Sequence, residues 1–234
     1  MQFIEASMLG VRSARLTFVS PTSPICVTLF PMVHVGEAAF YCETYADAQA
    51  HDVVLLEGVR SPVGTRITRS YRWLVGSRDM AGLIVQPRFP TSKPRPRIVH
   101  ADLSQEEFEA EWRKVPLWLR LTVYALSPVI GLRRRWRYSR ERLAKDMSCE
   151  DQPSLAELLA MTPETGALTQ AILHARDERL IERLCSEIET GGTEAKKVAV
   201  VYGATHMRAM VRELTHHRDF VVRAAEWRMV MAIA

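Results

Sequence analysis

Apolar and polar positions along the chain fall into two patterns. Three runs are continuously apolar: ICVTLF at 25–30, VVLL at 53–56 and VAVVY at 198–202. Runs of this length and β-branched content predict strands covered on both faces, as in a parallel sheet. Shorter strands are predicted at Gln2 to Ala6 and Leu16 to Ser20, around a turn at Val11–Arg15, and at LIVQ (83–86) and RIVHADL (97–103). Pro31, which lacks an N–H, is expected to end the ladder of the first apolar run. FVVRAAEWRMVMAI closes the chain as one or two strands.

Between the apolar runs the period changes to that of a helix. Ala38, Tyr41, Cys42, Tyr45 and Ala48 form one stripe, and Ile67, Tyr71 and Leu74 another within Gly64 to Val75. Ser104 followed by Glu107 is a capping-box pattern, opening a helix that runs to about Val115. Pro116 to Arg137 predicts one or two helices broken near Pro128 and Gly131, and Leu155 to Met161 a short one. A long helix then starts at Thr162-Pro163 and ends at Gly191-Gly192, with Leu173, Leu180, Leu184 and Ile188 on its buried face. Met207, Met210, Val211 and Leu214 mark a last stripe. Strand, helix, strand from Thr28 to Val59 implies a parallel right-handed crossover. The predicted class is α/β, with α+β as the alternative: a mainly parallel central sheet, flanking helices, and a helical insertion at approximately 102–190.

At 234 residues and 47% hydrophobic content the chain can bury a large single core. The net charge of +4 comes from local patches, chiefly PRFPTSKPRPR and RRRWRYSRER. The first reads as an exposed, extended proline-rich loop. The arginines have no recognisable nucleic-acid module around them, so no nucleic-acid partner is expected. Cys26, Cys42, Cys149 and Cys185 match no zinc spacing and read as reduced thiols of a cytoplasmic protein. The first ten residues lack a signal-peptide core. Leu117 to Leu132 is too short for a confident bilayer span, because Arg120 and Pro128 interrupt it. Residues 117–137 read either as buried cap helices with a solvated basic flank, the favoured reading, or as a peripheral membrane contact. The oligomeric state is left open.

Candidate chemistry gathers at predicted strand ends. In parallel sheets, functional groups collect beyond the carboxyl ends of the strands. His34, Glu57 and His206 each occupy such a position, beside Gly36, Gly58 and Gly203. A histidine there is more often a turn residue than a catalyst, but two imidazoles and a carboxylate at equivalent ends form a coherent set. They could hold a divalent metal that acidifies a bound water, or work without one through a histidine base. No organic cofactor is indicated. Glu57 follows VVLL directly, a costly place for a carboxylate that reaches no partner. Glu37, Tyr71, Arg72 and Asp102 are candidate substrate contacts. For Asp102 a helix N-cap role is the preferred alternative and for Tyr71 core packing, while Glu37 is either a third carboxylate in the cleft or a first-turn acid favoured by the helix dipole. An arginine on the long helix could reach the strand ends, but Arg176, Arg179 and Arg183 lie near one face and such rows are usually solvated.

PMVHVGE, DVVLLEGV, HARDERL and VVYGATHM, in that order, resemble the TraB/GumN (PrgY, Tiki) family, within the wider group of erythromycin esterase and ChaN proteins. That family carries two GxxH motifs, a glutamate after the second core strand and an arginine in a late helix. The second motif is intact as Gly203-Ala204-Thr205-His206. The first reads Pro31-Met32-Val33-His34, with proline at the glycine position. The resemblance implies one domain over 1–234 and a hydrolase site made of His34, Glu57, Arg176 and His206, acting on a peptide or ester bond. A divalent metal on His34, Glu57 and His206 is the implied form in one branch, a metal-free histidine base in another. A non-catalytic ligand- or peptide-binding regulatory protein with the same cleft is the alternative.

Overall fold

The computed structural model describes residues 1–58, 61–91, 96–152, 166, 168–190 and 194–233. The main sheet has eight strands. Its core is the parallel set β3 (Ser23–Met32), β9 (Lys196–Gly203), β5 (Val53–Leu56) and β7 (Arg97–His100), in the order β7-β5-β9-β3. An antiparallel part continues from β3 through β2 (Gly10–Ser20) and β1 (Gln2–Ser7) to β8 (Cys149–Glu150), and β10 (Val221–Ala232) pairs with β2. The class is therefore α/β, with a mixed sheet whose core is parallel. β4 (Val35–Glu37) and β6 (Leu83–Val85) form a separate two-stranded ribbon. β3 and β5 do not pair with each other. β9, from the far end of the sequence, lies between them and is parallel to both.

The helices follow the hydrophobic stripes closely. They are α1 (Ala38–Ala48), α2 (Pro62–Val75), α3 (Gln105–Lys114), α4 (Leu117–Arg137), α5 (Arg140–Met147), α6 (Ala175–Thr190) and α7 (Met207–Arg212). A π-helical stretch, Gln170–His174, leads directly into α6. The capping box at Ser104 and Glu107 is present, with both reciprocal hydrogen bonds made. Leu180 and Leu184 of α6 belong to the same apolar core as VVLL and VAVV of the sheet. A smaller cluster of Trp112, Val115, Leu119 and Ala171 holds α3, α4 and the π-helical stretch together.

Several expectations change. Val11–Arg15 is not a turn. It lies within β2, which pairs with β10 along nearly its whole length on one edge and with β1 and β3 on the other. Pro31 does not end its strand: β3 continues to Met32, with Pro31 opposite Tyr202. The Pro31 carbonyl accepts a hydrogen bond from Ser13 Oγ at 2.7 Å, on the β2 side, where the ladder has already stopped at Leu29 and Leu16. A residue's N and C=O point to the same side of a strand, so the missing N–H falls where no ladder partner waits. The buried stripe of α1 is Phe40, Tyr41, Thr44, Tyr45 and Ala48, leaving Cys42 exposed. Pro128 does not split α4, which is one helix of 21 residues. Proline removes one i→i−4 bond, and packing against α2 supports the turns around it. The expected helix at Leu155 to Met161 and the expected start of the long helix at Thr162-Pro163 lie outside the described residues; the later part of the long helix is the π-helical stretch and α6. No single described helix is long and apolar enough to cross a membrane.

Candidate active site

The register of the parallel core brings four strand ends to one edge. Met32 of β3 is opposite Gly203 of β9, and Leu56 of β5 is opposite both Val201 of β9 and His100 of β7. One step beyond, Glu57 N–H donates to the Val201 carbonyl at 3.2 Å and Ala101 N–H to the Leu56 carbonyl at 3.1 Å. His34, Glu57, Asp102 and His206 all emerge at this edge because each follows its strand by one to three residues.

Glu57 is the hub. Its Oε2 accepts from Gly203 N–H at 2.6 Å, and its Oε1 accepts from Arg176 Nη2 at 2.7 Å. The carboxylate therefore bonds to the end of one neighbouring strand and to α6 at once. A Cβ at Gly203 would lie 3.2 Å from Oε2, so a larger residue there would push the carboxylate back by a few tenths of an ångström. Burial alone would raise the Glu57 pKa, but Arg176, then His206 and His34, reverse the effect and hold it at about 2. The π-helical stretch just before α6 coincides with the turn that delivers Arg176, a recurrent use of π segments.

Arg176 is gripped on its other side by Asp102, through Nε to Oδ1 at 2.9 Å and Nη2 to Oδ2 at 2.8 Å. Asp102 also accepts from the backbone N–H groups of Gly58 and Leu103, at 2.9 Å each. Its side chain is 1% exposed, so these four N–H donors offset a large desolvation cost. The guanidinium lies over the Tyr202 ring, 5.5 Å from its centroid. Burial opposes the Arg176 charge, but Glu57 and Asp102 raise its pKa beyond the ordinary arginine range. Arg179 is instead committed to Glu107 and Glu182 at the surface, so the packing distinguishes the arginines that spacing could not.

The two histidines differ. His206 is buried, with Nδ1 2.7 Å from Asp177 Oδ1 and its ring edge-on to Tyr202 at 4.8 Å. An ionised carboxylate can only accept, so Nδ1 carries the hydrogen and Nε2 of the neutral ring keeps its lone pair. Among the described residues Nε2 makes no hydrogen bond. The His34 ring is exposed, makes no hydrogen bond among the described residues, and rests against Tyr71 with centroids 4.8 Å apart. Crowding by the surrounding protein lowers its pKa; Glu57 opposes this, and the charges of Arg176 and His206 add to it.

The other candidates divide. Tyr71 stands at the site as the wall beside His34, while it also packs on the core. Asp102 is in the network, and the N-cap role falls to Ser104 instead. Being enclosed, Asp102 positions Arg176 rather than meeting a substrate. Glu37 is not at the site: its Oε1 accepts from Ala232 N–H at 3.0 Å, tying the start of α1 to the end of β10. Arg72 is exposed on α2 and makes no polar contact with the cluster among the described residues. The participant missed in the sequence is Asp177. The RD pair carried the signal, because neighbours on a helix point about 100° apart and can serve two groups, here Glu57 and His206.

A metal on His34, Glu57 and His206 does not fit this arrangement. Each Glu57 oxygen already accepts an N–H donor and a guanidinium already neutralises the glutamate, so its carboxylate is committed to Arg176 and Gly203; the His206 Nδ1–Asp177 bond leaves only Nε2 as a ligand atom. Among the described residues no three His, Cys, Asp or Glu side chains converge as a ligand set. The geometry suits acid–base chemistry by an imidazole beside a fixed ion pair.

No protein-family model, curated protein or solved structure matches the chain.

Proposed function

We propose that the protein is a hydrolase of the TraB/GumN type acting on an ester or peptide bond, with His34 as general base. The observation that carries this reading is the contrast at the sheet edge: an exposed imidazole with a lowered pKa and no hydrogen bond among the described residues lies near enough to the half-buried Glu57–Arg176 pair to feel both charges. A histidine that is neutral at pH 7 can take a proton as water attacks. In the proposed step His34 removes that proton while the water oxygen bonds to the substrate carbonyl carbon. The C–O or C–N bond then breaks, and the proton returns to the departing alkoxide or amine. Arg176 supplies positive charge toward the developing oxyanion, since among the described residues its Nη1 is engaged only by the Ile172 carbonyl at 3.4 Å. His206, oriented by Asp177, holds the substrate or shares proton transfer.

The test is turnover of ester and fluorogenic peptide panels by the purified protein, with and without a chelator. Turnover that survives chelation and falls about 10²-fold or more in His34→Ala supports the reading. Equal turnover in His34→Ala removes it. One observation favours a second reading: Glu57, Arg176 and Asp102 are bonded chiefly to one another. A cleft with its charges already paired also suits a non-catalytic ligand- or peptide-binding protein. That reading predicts no turnover on either panel, together with ligand binding lost in Glu57→Gln.

A further inference from the structure

α4 presents an apolar face to solvent. Leu117, Trp118, Leu121, Ala125, Val129, Leu132 and Trp136 recur every three to four residues, and all are exposed. At 100° per residue they occupy one continuous stripe about 120° wide. Leu117 is 62% exposed and Trp136 75%. Elsewhere the helix is docked: Leu119 and Tyr124 pack in the small cluster with Trp112 and Ala171 and the helix lies against α2, while Leu126 and Ile130, outside the stripe, are also exposed. The stripe is thus an unpartnered second face of a helix already docked through its first. An exposed stripe of this length and aromatic content is unusual on a surface that meets only water.

The charges select what covers it. Leu117–Arg137 contains no aspartate or glutamate. Arg133, Arg135 and Arg137 flank the apolar stripe at one end, are exposed, and make no ion pair among the described residues. A second copy of the chain, paired antiparallel through the same stripe, would lay each arginine end over the other's Leu117–Leu121 end, where no carboxylate waits. An anionic bilayer satisfies both features, because acyl chains accept the leucines and valine while lipid phosphates accept the arginines. Trp118 and Trp136, at opposite ends of the stripe, suit the boundary between headgroups and acyl chains. The helix would lie along the interface rather than cross it.

We infer that α4 is an interfacial helix through which the protein docks on an anionic lipid surface. The inference is independent of the proposed hydrolase activity. Its test is co-sedimentation of the full chain with phosphatidylcholine vesicles, with and without phosphatidylglycerol. Binding is expected only to the anionic vesicles, weakening as salt rises from about 0.1 M to about 0.5 M. Leu121→Glu with Val129→Glu should raise the lipid needed for half-binding about tenfold or more. Arg133→Ala with Arg137→Ala should remove the preference for anionic lipid. Trp136→Ala, at the most exposed position of the stripe, repeats the apolar test if the double variant misfolds. Wild-type protein that ignores anionic vesicles, or that binds them equally well in the variants, overturns the inference. A concentration-dependent dimer abolished by Leu121→Glu, without vesicle binding, overturns it in favour of self-association.

Discussion

The ends of β3 and β9 lie side by side, and both lead within three residues to a histidine, yet the two regions are built differently. The β9 end is enclosed. Gly203 donates to Glu57, Tyr202 lies under Arg176, and His206 is oriented by Asp177. The β3 end is open. Among the described residues the His34 ring rests against the Tyr71 ring and makes no hydrogen bond, while its backbone carbonyl is tied to Gln86 N–H at 2.9 Å beyond the β4–β6 ribbon. Fixing a ring by burial and a carboxylate sets its tautomer and direction. Leaving a ring free keeps it accessible and close to neutral. The same strand-then-histidine pattern therefore yields one positioned group and one reactive group, and the difference arises from neighbours contributed by α6 and α2 rather than from the strands.

Arg176 is the group that both ends share, since it bonds Glu57 and lies over Tyr202 at the β9 end while its charge acts on His34 at the β3 end, and its removal should have the largest effect. Arg176→Met preserves much of the side-chain volume but leaves Glu57 and Asp102 as partly and fully buried carboxylates without a cation. A loss of about 3–5 kcal/mol is expected in urea unfolding at neutral pH. Arg176→Lys should recover only part of it, since an ammonium cannot span Glu57 and Asp102 as the planar fork does. A loss under about 1 kcal/mol in Arg176→Met would mean that the two regions stand without their common anchor.

Next in size is the acid response of Glu57. Its folded pKa of about 2 lies below its ordinary value of 4.5. The stability it contributes is therefore fully present above pH 4.5 and is lost as pH falls through about 2. The range from 4.5 down to 2 corresponds to on the order of 3 kcal/mol. Glu57→Gln should flatten the unfolding free energy in that window. His34 acts at higher pH: its pKa is lowered from 6.5, so its contribution is present above pH 6.5 and fades below it. Unfolding measured in Glu57→Gln and His34→Gln separately should show two distinct windows; a single shared window would join regions that the structure keeps apart.

What the sequence revealed, and what it withheld, follows the same division. The apolar runs identified the parallel core strands, because a strand covered on both faces has little compositional freedom. The glycines and chemical residues beyond them placed His34, Glu57 and His206 at one edge. Strand adjacency was not readable: nothing in residues 28–59 indicates that β9 separates β3 from β5. Pairings between distant segments were equally hidden, which is why Asp102 read as a cap and Glu37 as a cleft acid. Asp102 meets Arg176 across 74 positions and Glu37 meets Ala232 across 195. Pro31 misled for a local reason, since its effect depends on which side of the strand its nitrogen faces.

A smaller loss is expected from the enclosed histidine. His206→Ala removes the partner of Asp177 and opens space beside Tyr202, costing about 1–3 kcal/mol. Asp177→Asn should cost less, because an amide oxygen still accepts from Nδ1. Thermal unfolding of the two variants checks the order, and the reverse order would mean that the carboxylate charge matters more than the orientation it gives the ring.

The smallest change in stability should come from His34. An exposed ring without a hydrogen bond among the described residues can be exchanged for glutamine within about 0.5 kcal/mol. The same substitution removes the base, so hydrolysis should fall by about 10² or more while the fold is unaffected. In the wild-type protein the His34 ring should titrate below 6.5 in a proton NMR experiment, and the acid limb of the pH–rate profile should follow it. Glu57→Gln should lower the ring's pKa further, because Glu57 is the group that raises it. A His34 that titrates at or above 6.5, or that loses stability on the scale of His206, would place it in the enclosed class and leave the edge without an accessible base.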